Sequence, residues 1–595
     1  MKKTVYFVQA GNLYGQNAHL PYAAGCVAAN AFSMPEIRHH YQLGEFIFLR
    51  TPIEEVLAKL DEPYLVAFSC YIWNMEYHKA LARAIKVRWP DCYILFGGHQ
   101  VNNDNADQLH ELPCADFLIH RAGEEAFAAL LLALLNGQDL ATVPSLSYRD
   151  AQGKTLRTTP APCTRCDFPS PYLEGLFDSL FEQYPQLLFS MTLETNRGCP
   201  YRCAFCDWGT AWDGGLLQKP MERVKAEIDW AARHRIELLF CADGNFGILT
   251  RDEEFIDYLI AHNAKTGYPK KFYACFAKNS NETVFRLNQK LHQHGLSNGA
   301  TLSFQTLSAQ ALTNINRENM GLTQFRQLVA QYNQADVPFY SELIIGMPGE
   351  TLHSFAQGIG QLLAAGMHGA LEIFPCEILP NTLLSSPDYQ QKHGVKTIRV
   401  RQVQRHGNPK NNDSIPEYSN IVCQTNTMSL DDWIQAYLFS TVVQGFHSFG
   451  LLSHIAQRVH SEQKGTYEQF YSDLIAQARK NSSSLIGEQI AFLQTCYQRL
   501  AQGHGESLVC YDSRFGEITW PLGSMLFLRC AYETERFYAE LPAFLTQYDL
   551  DASILAQQQL LLCLPEDGNW VDFARINVWY NRRRGALSKK AGGSA

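Results

Sequence analysis

No run of about eighteen consecutive apolar residues occurs in the 595-residue chain, so the sequence predicts no membrane span. Positive charge is not in excess either. With 50 Lys and Arg against 59 Asp and Glu, the formal net charge is −9, which disfavours a polyanionic partner such as nucleic acid. No internal repeat is found, which excludes a repeat array. The basic start Met1-Lys2-Lys3 leads into an apolar run too short for a secretion signal and better suited to a strand. A disulfide ladder is missing as well: the 17 cysteines are scattered irregularly and read as reduced thiols. What is present is a globular composition, 46% hydrophobic and 18% charged, long enough for about three or four domains. The expectation is a soluble, cytoplasmic protein.

One stretch concentrates the chemistry, Leu193-Glu-Thr-Asn-Arg-Gly-Cys199-Pro-Tyr-Arg-Cys203-Ala-Phe-Cys206-Asp-Trp-Gly209. Soft thiolates at this spacing select an iron–sulfur cluster or zinc. A structural zinc site wants four ligands, and no fourth Cys or His lies close by in sequence; a partial zinc site or three structural cysteines are the bland alternatives. Three thiolates on a cubane leave one iron without a protein ligand. The spacing, with Phe205 just before the last cysteine, resembles the signature loop of radical S-adenosylmethionine (SAM) enzymes. That resemblance implies a [4Fe-4S] cluster on Cys199, Cys203 and Cys206, its open iron chelated by SAM.

Over residues 1–150, short apolar runs at Val5–Val8, Phe46–Leu49, Leu65–Ser69, Tyr93–Phe96 and Asp116–Ile119 alternate with helical spacing at 52–60 and 74–89. Alternation of this kind predicts a doubly wound parallel sheet, which binds ligands beyond the carboxyl ends of its strands. The strand ends there resemble the cobalamin-binding domain that precedes many radical SAM cores. The resemblance implies that Ser69, Gly97 and Gly98 border the nucleotide tail, that the loop with Tyr71, Ile72 and Trp73 approaches the ring, and that Gly123 and Glu124 form the turn after the fifth strand. The Asp-x-His-x-x-Gly pattern that supplies a histidine to cobalt in some such domains is absent, and His99 reads as a polar loop residue. Cobalamin is therefore expected base-off.

Residues 151–187 read as a linker, with Cys163 and Cys166 taken as two unrelated thiols. Over 188–385 six strand candidates recur, at Phe189–Glu194, Glu237–Ala242, Lys271–Phe276, Thr301–Gln305, Tyr340–Ile345 and Leu371–Cys376, with Pro220 opening the first helix between them. They suit a partial (β/α)6 barrel with its chemistry at the carboxyl ends of the strands. By the same family resemblance, Asp243 and Asn245 stand where acceptors for the SAM amino group belong. Ser303 and Gln305, on one side of a strand, suit the ribose hydroxyls and methionine carboxylate. Glu342 opens the motif through Gly346-Met-Pro-Gly349-Glu350 that borders the adenine.

Residues 386–595 are expected to form a mostly helical C-terminal domain that covers the substrate. An aromatic helix from Trp433 to Phe449 would supply apolar walls, and Arg399, Arg401 and Arg405, in a polar excursion over 389–425, a carboxylate anchor. The tail with Arg582-Arg583-Arg584 and Lys589-Lys590 reads as a solvated basic end. Together the parts resemble the cobalamin-dependent radical SAM C-methyltransferases. They imply SAM used both as methyl donor to cobalt and as radical source. The implied partners are an amino acid, peptide natural product or related metabolite as substrate, and an electron donor such as flavodoxin or ferredoxin. Rival readings are rearrangement, cyclisation or polar methyl transfer on the same modules, or a cobalamin-responsive binding protein without turnover. The ratio of 5′-deoxyadenosine to S-adenosylhomocysteine separates them.

Overall fold

The computed structural model describes residues 2–562 except 106, 210–214, 279–281, 298, 409–414 and 504–506, so the basic tail lies outside the described residues. In the N-terminal part the strands are β1 (Lys3–Gly11), β2 (Asn17–His19), β3 (Tyr41–Leu43), β4 (Ile47–Leu49), β5 (Pro63–Ser69), β6 (Tyr93–Gly97), β7 (Phe117–Ile119), β8 (Leu146–Arg149) and β9 (Thr155–Arg157). One sheet runs β3-β1-β5-β6-β7-β8-β9, with β4 also paired to β1. It is parallel through β7 and then turns antiparallel. Its two faces bury separate sets of side chains. Val8, Val66, Phe68 and Phe96 pack under Leu81 and Ile85 of the helix Met75–Arg88 on one side. Phe7, Leu65, Ala67 and Leu95 face Phe127 on the other. Alternate side chains pointing to opposite faces produce this split. The sheet continues past residue 150: β9 lies inside the stretch expected to be a linker, which also carries the short helix Asp178–Gln183.

The second unit begins with β10 (Leu188–Leu193), followed by the short pair β11 (Asn196–Arg197) and β12 (Leu217–Gln218). Its further strands are β13 (Leu238–Phe246), β14 (Lys271–Phe276), β15 (Ala300–Gln305), β16 (Phe339–Ile345) and β17 (Ala370–Pro375). All six barrel strands stand within a few residues of expectation, and all pair in parallel, as β14-β13-β10-β2 and β15-β16-β17. Pro220 caps the helix Met221–Arg233 from just outside it. The unexpected member is β2, which leaves the first sheet and extends the barrel beside β10. Alternation along β13 and β16 buries Leu239, Cys241, Ser341, Leu343 and Ile345, while Phe240, Ala242, Tyr340 and Glu342 keep partial exposure toward the lumen. The lumen therefore has room for ligands.

The chain after the barrel corrects two expectations. The polar excursion contains an antiparallel hairpin, β18 (Lys396–Gln402) with β19 (Glu417–Gln424), whose Val400, Ile421, Val422 and Cys423 are buried. The aromatic helix is Leu430–Val442, continued by a π-turn over Val443–Ser448. Trp433, Tyr437 and Phe439 are buried in a core shared with the second half of the barrel, so this helix holds the C-terminal helices to the barrel, and none of the three lines the cavity between sheet and barrel.

Candidate active site

A cavity of about 700 Å³ lies where the carboxyl ends of the N-terminal sheet face the barrel mouth. All eight N-terminal residues singled out in the sequence for the corrin line it: Ser69, Tyr71, Ile72, Trp73, Gly97, Gly98, Gly123 and Glu124. The barrel contributes Thr192, Glu194, Arg197, Asp207, Trp208, Phe240 and Ala242. Tyr71 stacks on Trp73 with ring centroids 4.4 Å apart. Gly98 sits at φ +96°, and a Cβ there would lie 2.9 Å from the Cys70 carbonyl oxygen, so only glycine fits. A Cβ on Gly97 would meet nothing closer than 3.8 Å. Gly97→Val is thus expected to fold and melt like the parent while losing cobalamin on gel filtration; full retention of cobalamin would remove Gly97 from the pocket.

His99 hydrogen-bonds through Nδ1 to Asp207 Oδ2 at 2.5 Å, tying the turn after β6 to the end of the cysteine loop. A second tie went unread in the sequence. Arg197 donates from Nη1 to Glu124 (2.6 Å) and from Nε to Glu194 (2.7 Å), and Lys219 donates to Glu194 (3.1 Å) and Tyr22 (2.6 Å). Burial alone would raise the Glu194 pKa, but Arg197 and Lys219 outweigh it and bring the carboxyl to about 2. Two carboxylates and two cations thus form a buried, charge-balanced seam between the modules. Breaking one partner of such a seam costs about 3–5 kcal/mol. Glu124 belongs to this seam, so its carboxylate is committed to Arg197, with its main-chain oxygen accepting from Asn30 Nδ2 (2.7 Å).

Around the cysteine loop the structure sorts the remaining residues. Asp243 accepts from the Thr195 amide (2.8 Å) and hydroxyl (2.5 Å), and from the Asn196 amide (3.2 Å) and Nδ2 (2.7 Å). Those bonds pin the start of the loop, which corrects the assignment of Asp243 to the SAM amino group: its oxygens are already taken. Burial pushes its pKa up to about 6 against the pull of those donors. Asn245 instead stands at the thiols. Its Nδ2 is 3.0 Å from Cys199 Sγ, and its buried Oδ1 has no hydrogen-bond partner among the described residues.

Gln305 ends β15 at φ +66°, past a register shift after Ser303. Ser303 donates to Glu342 at 2.7 Å, and Gln305 also bonds this carboxylate. Behind them is Arg317, which donates from Nη2 to the Ser303 carbonyl (2.5 Å) and from Nε to Asn319 (2.9 Å). Among the described residues its buried Nη1 has no further hydrogen-bond partner, while the guanidinium interacts with the Cys203 thiol and lies within electrostatic reach of Cys206 and Glu342. Lys278 Nζ is 3.9 Å from Cys203 Sγ. Buried polar atoms seldom go unsatisfied. An open acceptor on Asn245 and an open N–H on Arg317, both beside the thiols, suit the amino and carboxylate groups of SAM. The donor set of three thiols with nearby N–H groups and cations matches an anionic iron–sulfur cluster. Arg317 follows the helix Ala309–Asn314 and is brought beside these thiols only by the fold.

Glu350, at the end of the adenine motif, accepts from Thr306 (2.5 Å) and Ser354 (3.0 Å), and burial raises its pKa from 4.5 to about 7. A raised carboxyl pKa contributes stability that is full below the unfolded value and lost as pH rises through the folded one. The parent should therefore lose about 2–3 kcal/mol relative to Glu350→Gln between pH 5 and pH 8. Melting curves of the two proteins across that range check the sign; a parent that holds or gains stability relative to Glu350→Gln as pH rises would contradict it.

An α/β sheet opening onto a partial barrel, with three thiols at the barrel mouth and a shared cavity between, defines a cobalamin-binding radical SAM protein. Family models agree: the B12 binding domain matches residues 42–131 and the Radical SAM superfamily residues 193–359. The chain is 33% identical over 95% of its length, and 84% of the relative's, to a cobalamin-dependent radical SAM methyltransferase, TokK, of Streptomyces tokunonensis. It is 34% identical, over 92% of its own length and 82% of the relative's, to a 2-(S-pantetheinyl)-carbapenam-3-carboxylate methyltransferase of Streptantibioticus cattleyicolor. The solved structure of OxsB, a cobalamin-dependent S-adenosylmethionine radical enzyme, superposes with TM-score 0.56 at 13% identity, covering 98% of this chain and 84% of that one, a likeness of fold. The chain belongs to the cobalamin-dependent radical SAM methyltransferases. It is an enzyme that uses a [4Fe-4S] cluster, SAM and cobalamin. Among the described residues no helix is long and apolar enough to cross a membrane.

Proposed function

We propose that the enzyme methylates an unactivated carbon of a small carboxylated natural-product intermediate, first among candidates a carbapenam carboxylate bearing a pantetheinyl thioether, as the name of the Streptantibioticus relative specifies. The observation that carries this reading is the single cavity walled by both modules, which lets one bound molecule be addressed from both sides. When bound, the cofactors supply hydrogen abstraction from an unactivated carbon and delivery of a methyl group to it. The chain's own residues supply position. Cys199, Cys203 and Cys206 would hold the cluster, Asn245 and Arg317 the two ends of the amino-acid part of SAM, Ser303, Gln305 and Glu342 its nucleoside side. Ser69, Tyr71, Gly97, Gly98 and Gly123 would cradle the corrin, base-off because no histidine motif precedes it.

Of the three arginines singled out for the substrate carboxylate, Arg405 is the one in contact with a barrel strand. Its guanidinium lies 5.4 Å over the Phe374 ring and 3.3 Å from Glu372 on the lumen side of β17. Arg399 instead reaches toward Glu76, at 3.9 Å, and stacks on Tyr418. A low-potential donor such as flavodoxin or ferredoxin, in the cytoplasm, would keep the cluster reduced. The test is anaerobic incubation of reconstituted enzyme with methyl-deuterated SAM and the pantetheinyl carbapenam carboxylate, followed by mass spectrometry. A labelled methyl on the carbapenam, with KM raised about tenfold or more by Arg405→Ala, supports the reading. Labelled methyl appearing only on other metabolites would refute the substrate class.

A further inference from the structure

We propose that Glu417, on the hairpin after the barrel, is a positioning residue for the cobalamin pocket some 340 residues upstream. Its carboxylate is buried and accepts three hydrogen bonds from the N-terminal domain. Oε1 takes the Arg50 guanidinium (2.7 Å) and the Tyr77 amide (2.9 Å); Oε2 takes the Glu76 amide (2.8 Å). Those amides are the open donors at the start of the helix Met75–Arg88, where a negative charge is favoured. The helix has no cap of its own. Asn74, at the cap position, turns its side chain back instead, accepting from the Tyr71 amide (2.7 Å) and donating to the Ala10 carbonyl (3.1 Å) and the Ser69 carbonyl (3.3 Å). Asn74 thus shapes the loop Tyr71–Trp73, and Glu417 takes over the capping. Arg50 closes the unit by donating to the Trp73 carbonyl (3.1 Å) and to the Ile415 carbonyl.

The other side of the hairpin is held to the rest of the molecule. Val422 donates to the Cys376 carbonyl (2.8 Å), the Ile378 amide donates to the Asn420 carbonyl (2.9 Å), and Gln402 donates to Glu377 (2.8 Å), all at the rim after β17. Past β18, His406 and Gly407 exchange main-chain hydrogen bonds with Thr519 of the C-terminal region. The loop Tyr71–Trp73 walls the cavity. Its position is therefore set from the substrate side of the enzyme through one carboxylate. A glutamine at 417 keeps the shape but loses the charge and places an N–H against an N–H, so the loop loses its clamp while the barrel and its thiols are untouched.

The inference rests on the shared cavity being the cobalamin pocket, which Gly97→Val tests separately. The experiment compares holoenzymes of the parent, Glu417→Gln, Arg50→Lys and Glu540→Gln. Glu540 is the control because it caps another helix, Leu485–Ala501, through the Leu485 (2.5 Å) and Ile486 (3.1 Å) amides, away from the pocket. Glu417→Gln is expected to weaken cobalamin retention about tenfold. It should also add a second component to the cob(II)alamin electron paramagnetic resonance spectrum, while iron content and the reduced-cluster signal stay at parent levels. Glu540→Gln, with a comparable loss of melting temperature, should leave cobalamin affinity and spectrum unchanged. If Glu417→Gln does not fold, Arg50→Lys, which keeps the charge but not the forked donors, carries the same expectation. Parent affinity and a single parent spectrum in a folded variant overturn the proposal, as does an equal change in Glu540→Gln. Parent cobalamin retention in Gly97→Val overturns the pocket assignment and, with it, the reading of this clamp as a cobalamin-positioning device, whereas parent behaviour in Glu417→Gln alone overturns only the clamp.

Discussion

Protein with Cys199, Cys203 and Cys206 all replaced by Ala is expected to emerge colourless from anaerobic reconstitution and to yield no 5′-deoxyadenosine and no methylated product. The argument is coordination chemistry. The sequence spacing of the three thiols suits a cubane with one iron left open, and the N–H of Asn245 at Cys199 and the Lys278 ammonium near Cys203 are set to stabilise thiolate charge. None of the three cysteines lines the large cavity, so cobalamin uptake should survive the change. That survival separates loss of the cluster from loss of the fold. A full iron complement and brown absorption in the variant would end the assignment.

The second large effect is expected at Arg317. In Arg317→Met the buried cation beside Cys203 and Cys206 is gone, and a SAM carboxylate would lose its charge-assisted partner in a site shielded from water. Hydrogen bonds to charged groups are worth about 1.5–3 kcal/mol, so SAM affinity should fall about 10- to 100-fold. Cleavage of SAM to 5′-deoxyadenosine should fall at least as far, because the sulfonium is no longer held against the cluster. Arg317→Lys should recover part of the affinity, since the charge returns without the bonds to Ser303 and Asn319. Calorimetry of SAM binding to cluster-loaded protein checks both. Parent affinity in a folded, cluster-loaded Arg317→Met would refute the role, and the orphaned nitrogen would need another partner.

The sheet and barrel were legible because their strands are apolar runs separated by helices of the other period. What escaped was structure made by short or remote pairing. β2 holds one apolar residue, Ala18, between Asn17 and His19, and no period can be read from three residues; its place beside β10 depends on a partner about 170 positions away. β18 does alternate, with Ile398 and Val400 between polar or charged neighbours, but its basic residues make the stretch look like a solvated excursion. The all-round burial of the helix Leu430–Val442 was mistaken for a wall when it marks a core helix.

Site residues show the same divide. Strand-end glycines and the cysteine loop announce themselves locally, through the resemblance of short contiguous motifs to those of the family. The seam of Tyr22, Glu124, Glu194, Arg197 and Lys219 does not, because its members are brought together only by the packing of two modules. Asp243 shows the limit from the other side. An aspartate at a strand end suits a ligand amine and a loop's own amides equally, and the hydrogen bonds from Thr195 and Asn196 decide between them.

The central claim is that one site uses SAM in two ways, through two cofactors held by two modules. Single-turnover counting of products tests it most directly: reconstituted enzyme, reductant, SAM and substrate, with 5′-deoxyadenosine, S-adenosylhomocysteine and methylated product quantified together. The account predicts one 5′-deoxyadenosine and one S-adenosylhomocysteine for each methyl transferred. Methylation with S-adenosylhomocysteine and no 5′-deoxyadenosine would show a polar transfer, and 5′-deoxyadenosine without methylation a rearrangement or cyclisation; either result contradicts it.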